Sequence, residues 1–256
     1  MQPFDPPPQN SGVLEGSPRS AACPECESER MARYEREEAE RKERDRRWRV
    51  ATNREAAAIP HRFTRCTFEN YTATTPGQQH ALSVARGFAE NSAAVLEMGS
   101  SLTLCGNPGR GKTHLAWAIG NHLIDAGHTV RYTQVIELIR AIRDTWRHES
   151  SETESAVVTK YQCVNLLMLD EVGVSFGSEA ERTRLFDVLD GRYRAMRPTI
   201  FVSNLNAKGL QDSLGPRIFD RMTQNGRPVV IFNWESYRSI AVPGVSPRAA
   251  CRRRVR

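Results

Sequence analysis

The chain has 256 residues, 39% hydrophobic and 26% charged, with a formal net charge of +6 and a pI near 9.2. That is enough for one ordinary domain with appended segments, and no apolar run approaches the roughly 20 residues a bilayer span needs. The leading MQPFDPPPQNSG has no basic start followed by an apolar stretch, so it does not read as a secretion signal, and the expected location is the cytoplasm.

Residues 1–20, rich in Pro, Ser, Gly and Asn, hold too little apolar content to offset the entropy of ordering and read as a disordered tail. Cys23 and Cys26 follow as a CxxC pair. This is half of a zinc site, which His61 or Cys66 could complete, or a second chain could share. Plain thiols are the alternative in a reducing compartment. From Glu27 to Ala58 the composition is dense in Glu, Arg and Ala, without Gly or Pro, and favours helix. Glu37 with Arg41 and Glu40 with Arg44 stand at i,i+4 and would support it weakly. Such a helix buries little by itself, so the segment 21–58 is a solvated spacer or an arm awaiting a protein partner.

Pro60 marks a boundary, beyond which short apolar strands alternate with helices. Helix is expected over Pro76–Asn91, Lys112–Asp125 (closed by Gly127), Val135–Arg147 and Glu179–Ala195. Strands are expected over Ser101–Cys105, Thr129–Thr133, Val164–Leu169, Thr199–Ser203 and Val229–Phe232. Strand–helix alternation implies an α/β fold, a parallel sheet sandwiched by helices, preceded by the charged helical arm.

The run Gly106, Asn107, Pro108, Gly109, Arg110, Gly111, Lys112, Thr113 matches G-x-x-x-x-G-K-[ST], between an expected strand and an expected helix. The glycines let backbone N–H groups turn inward onto phosphate oxygens, and the helix start adds partial positive charge. Lys112 can reach the β- and γ-phosphates and the Thr113 hydroxyl can ligate magnesium; His114 completes the candidate nucleotide-binding run. The apolar stretch Leu166–Leu169 places Asp170 and Glu171 at its carboxyl end, 58 residues beyond Lys112. Asp170 suits magnesium and Glu171 suits the general base for an attacking water. Asn204, at the end of another apolar strand, either reads the γ-phosphate or starts a turn.

From about Arg62 to Arg238 the chain resembles the AAA+ ATPases of the DnaC type, which load the replicative helicase in bacteria and some phages. Four stretches carry the resemblance beyond the phosphate loop: Cys66-Thr-Phe-Glu-Asn-Tyr71, Asp170-Glu-Val-Gly173, Arg217-Ile-Phe-Asp-Arg-Met222 and Ile231-Phe-Asn-Trp-Glu-Ser-Tyr-Arg238. It implies an AAA+ domain over 59–240 and a helicase-docking arm over 21–58. It also implies ATP and magnesium as ligands, and a hexameric DnaB-type helicase and single-stranded DNA as partners. Asn204 becomes a γ-phosphate sensor. Arg217, or Arg221 one turn on, becomes an arginine finger to a neighbouring copy, and Arg238 a second sensor. Arg143, Trp146 and Arg147 become DNA contacts, the indole stacking on a base and the arginines neutralising phosphate; the alternative for Trp146 is a place in the core. The basic tail 241–256 reads as solvated or as a further DNA contact. Two rival functions stay open: an IstB-like helper of a transposase, and an adaptor switched by ATP with negligible turnover, against which Glu171 speaks.

Overall fold

Strands covered on both faces are buried along nearly their whole length and are built mainly from apolar residues, and three segments of this chain fit that pattern. In the computed structural model, which describes residues 23–147, 150–173, 179–223 and 228–237, those segments are β1 (Leu102–Gly106), β3 (Leu166–Asp170) and β4 (Thr199–Ser203). With β2 (Val130–Gln134) and β5 (Val229–Phe232) they form one sheet in the order β2-β3-β4-β1-β5, every pair parallel. The two edge strands are only partly buried. Residues 1–20, Arg238 and the tail 241–256 lie outside the described residues.

The chain divides into two compact units between Asp45 and Arg46, within α1 (Pro24–Ala56). Up to Asp45, α1 is exposed and laced by ion pairs at one-turn spacing. Lys42 meets Glu38 at 2.8 Å and Arg44 meets Glu40 at 3.9 Å, while Glu37 meets Arg33 at 3.8 Å. Exposed pairs of this kind each add a few tenths of a kcal/mol, about 0.2–0.5.

In the second unit the last turns of α1 are tied to the end of α4 (Lys112–Asp125): Asn53 donates to Gly127 O at 2.9 Å, and Arg54 pairs with Asp125. Ala57 is fully buried. Side chains alternate across the sheet, Leu166 and Met168 facing one core and Leu167 and Leu169 the other. The first core takes α2 (Pro76–Glu90), α3 (Ser92–Met98) and α4; the second takes α5 (Val135–Asp144), α6 (Glu154–Gln162), α7 (Glu179–Arg194), α8 (Ala207–Leu214) and α9 (Pro216–Thr223). The parallel sheet covered by helices on both faces is the α/β architecture expected. Helix α5 stops at Asp144, short of the expected Arg147, and α3, α6 and α8 are additional to the expected helices.

One buried charge holds the second layer together. Arg192 of α7 is 1% exposed, and it donates to the carbonyls of Tyr161, Gln162, Val164, Asn165 and Pro198 and to Thr199 Oγ1, at 2.6–3.4 Å. It thereby closes the end of α6 and fixes the starts of β3 and β4. Burial draws its pKa down to about 9, which leaves it charged at neutral pH. Each carbonyl stripped of such a donor would cost about 1–3 kcal/mol.

Candidate nucleotide site

The phosphate loop follows β1 and turns into α4 through three glycines with positive φ: Gly106 (+126°), Gly109 (+79°) and Gly111 (+92°). A β-carbon on Gly106 would stand 2.3 Å from Phe232 O, so side chains are excluded on steric grounds as well as conformational ones. The loop is braced from β5 and the segment after it. Arg110 Nη1 donates to Phe232 O at 2.8 Å, Trp234 Nε1 to Arg110 O at 3.1 Å, and the Tyr237 N–H to Gly109 O at 2.9 Å. Lys112, 4% exposed, donates to Gly106 O at 2.6 Å and Asn107 O at 2.8 Å. Its ammonium is therefore held in the curl of the loop.

Asp170 meets this loop across the sheet. Its Oδ2 accepts from Thr113 Oγ1 at 3.3 Å and from Tyr132 Oη at 3.0 Å, and its Oδ1 accepts from the Glu171 N–H at 2.7 Å. Burial first, and then the Asp170 charge, push the Tyr132 phenol above its ordinary pKa, so it stays a donor. Glu171 has φ +57°, a left-handed conformation that costs an L-residue roughly 1–2 kcal/mol. Such strain is commonest at working sites.

β4 separates β1 from β3, which sets Asn204 between the loop and the carboxylates. Its neighbours are fixed: Ser203 Oγ donates to Val172 O at 2.6 Å, and the Gly106 N–H donates to Leu205 O at 3.1 Å. The outcome is a cavity of about 640 Å³ lined by Pro108 to His114, Asp170, Glu171 and Asn204, together with Tyr71, Tyr132 and Tyr237. Gly106 and Asn107 contribute their carbonyls to Lys112. His114 Nε2 lies 2.9 Å from Thr67 O and its ring faces Tyr71 at 5.4 Å. A glycine cradle that a β-carbon would fill, with a buried lysine and hard oxygen donors from Thr113 and Asp170 beside it, suits a nucleotide triphosphate with magnesium.

The remaining candidates lie elsewhere. Arg217 is exposed in a separate cleft with Glu179, Phe186, Leu214 and Pro216. Arg221 pairs with Asp190 at 3.4 Å and lies over the Tyr193 ring at 4.3 Å. Trp146 is 53% exposed, in the turn after α5, and its Nε1 donates to Glu154 at 2.6 Å. Arg143 pairs with Glu181 at 3.4 Å and Arg147 with Asp144 at 3.3 Å; both line a cleft with Arg140. Cys23 and Cys26 are exposed thiols, Cys66 is buried in the core, and among the described residues no three His, Cys, Asp or Glu side chains gather as a metal cluster. No helix among them is long and apolar enough to cross a membrane. Tyr71 and Tyr237 fall in stretches that carry the resemblance but have no role assigned there, and Tyr132 carries no signal in the sequence, since a tyrosine in a strand reads as ordinary packing.

The sheet, the glycine cradle and the facing carboxylate define an AAA+ P-loop ATP-binding protein. The family described as IstB-like ATP binding protein matches residues 29–241. The uncharacterized protein YdaV of Escherichia coli K12 is 35% identical over 211 residues, 82% of each chain. The replicative helicase loader DnaC of the same strain is 38% identical over 174 residues, 68% of this chain and 69% of that one. Among solved structures, AMPPCP-bound DnaA from Aquifex aeolicus matches with a TM-score of 0.56 and 26% identity, over 66% of this chain and 50% of that one. A crystal structure of the DnaC helicase loader shares the fold with a TM-score of 0.59 and 22% identity, over 68% of this chain and all of that one. The chain belongs to the IstB/DnaC-like family of ATP-binding proteins.

Proposed function

We propose that the protein hydrolyses ATP and uses it to load a hexameric, DnaB-type replicative helicase onto single-stranded DNA. The observation that carries this reading is the 38% identity to the helicase loader DnaC over 68% of the chain, in a protein whose phosphate loop, Asp170 and Glu171 line one cavity. Lys112 and the loop N–H groups would hold the phosphates. Thr113 and Asp170 would hold magnesium, which when bound neutralises phosphate charge. Glu171 and Asn204 line the same cavity; Glu171 would take a proton from the attacking water and Asn204 would sense the γ-phosphate.

Arg217 is exposed and absent from its own phosphate cavity, as a finger serving a neighbouring copy needs to be. Arg221 is engaged by Asp190 and Tyr193, which favours Arg217 for that task. The exposed Trp146 between Arg143 and Arg147 supports a stacking role on DNA, and the charged first unit supports an arm that docks on the helicase. Co-purification with replicative helicases, with and without ATP, tests the reading: ATP-dependent capture is expected, and no capture by any of them would overturn it.

The IstB-like description of the matching family supports a second reading, an ATPase helper of a transposase. A strong preference for duplex over single-stranded DNA would favour it.

A further inference from the structure

Asp170 has two donors on one oxygen, and they differ in what else they can do. Thr113 opens α4 beside Lys112, and its hydroxyl is the group that would be turned toward magnesium. Once turned, it no longer restrains the carboxylate in the same way. Tyr132 comes from β2, whose register sets Gln134 opposite Asp170 and Tyr132 opposite Met168. Its hydroxyl reaches Asp170 Oδ2 at 3.0 Å.

The Tyr132 ring is held independently of the phosphate loop's backbone. It packs against Trp117 of α4 with ring centres 5.1 Å apart, and Trp117 in turn stacks on Phe63 at 6.2 Å, the planes 14° apart. With Oδ1 taken by the Glu171 N–H, the tyrosine is the donor that keeps Oδ2 oriented while Thr113 changes partner. Groups that orient a metal ligand from behind tune its affinity as strongly as many direct contacts do.

We infer that Tyr132 is a positioning residue for the magnesium site: it fixes the rotation of the Asp170 carboxylate, and so sets the affinity for the divalent ion that accompanies ATP. This rests on reading Asp170 and Thr113 as the magnesium-holding residues.

The test uses the full chain and Tyr132→Phe, which keeps the ring on Trp117 and removes only the hydroxyl. A fluorescent ATP analogue is bound first in EDTA and then across a magnesium titration. Mn²⁺ binding in the presence of ATP is followed in parallel by electron paramagnetic resonance. The variant is expected to keep its melting temperature and its EDTA affinity, while the Mg²⁺ and Mn²⁺ concentrations for half-saturation rise roughly tenfold. Tyr132→Met, which fills the space without a donor, should show the same rise and guards against an effect peculiar to one variant. Unchanged metal titrations in both variants would overturn the proposal, as would a loss of stability with no change in metal dependence. A wild-type protein whose nucleotide affinity ignores divalent ions would instead remove the Asp170 assignment, and this inference with it.

Discussion

The Tyr71 ring lies on the backbone of Gly111 so closely that a β-carbon there would come within 2.7 Å of Cε2. Gly111 also holds φ +92°, outside the range an L-residue adopts without strain. Gly111→Ala therefore has to displace either the ring or the loop. ATP affinity should fall at least about tenfold, roughly 1.4 kcal/mol, as measured with a fluorescent analogue. Wild-type affinity in that variant would mean that the lead-in segment around Tyr71 yields freely.

Lys112 and Glu171 should separate binding from turnover. Lys112→Ala removes the buried ammonium and should abolish ATP binding. Glu171→Gln should bind ATP and hydrolyse it at no more than about a hundredth of the wild-type rate, the low end of what a positioned base contributes. Turnover at the wild-type rate would remove Glu171 from the chemistry.

Arg217→Ala should bind ATP nearly normally and hydrolyse it poorly. Mixing it with Lys112→Ala should restore part of the activity, because the Arg217→Ala copy keeps its own phosphate loop and can receive a finger from its neighbour. No recovery at any mixing ratio would count against a shared site. Arg221→Ala should lower stability, since it removes the ion pair with Asp190 and the contact with Tyr193.

Trp146→Ala should leave the melting temperature unchanged, because the side chain is 53% exposed and outside both cores. Single-stranded DNA affinity should drop by about 1–3 kcal/mol in a titration at fixed salt. Unaltered DNA affinity would retire the stacking role.

Truncation should be sensitive to where the cut falls. Removing residues 1–45 should leave a folded ATP-binding unit without helicase affinity. Removing residues 1–58 also strips the Asn53 and Arg54 contacts from the end of α4 and takes Ala57 out of the core, so its melting temperature should be lower by several degrees. Equal melting temperatures would show that the last turns of α1 contribute nothing to that unit.

The parts of the fold legible in the sequence were those with a strong local cause. Helix α4 runs from Lys112 to Asp125 and β4 from Thr199 to Ser203, as read from the glycine motif and an unbroken apolar run. Helix α6 has little signature in the sequence because it buries only Val157 and Tyr161, one turn apart. Arg192 looks like any surface arginine on a charged helix; its burial depends on three segments converging from different parts of the chain. Tyr132 is hidden for a related reason. Its reach to Asp170 follows from the pairing of β2 with β3, and strand register is a property of the assembled sheet.

The bracing of the phosphate loop from beyond β5 has a consequence for how the protein comes into being. Gly109 and Arg110 take their outer hydrogen bonds from Tyr237 and Trp234, residues that leave the ribosome long after the loop itself. A nascent chain can assemble β1 to β4 and still lack the support that holds the cradle in shape. Any piece of the chain that stops short of Trp234 therefore carries the glycine motif without two of the bonds that hold its backbone.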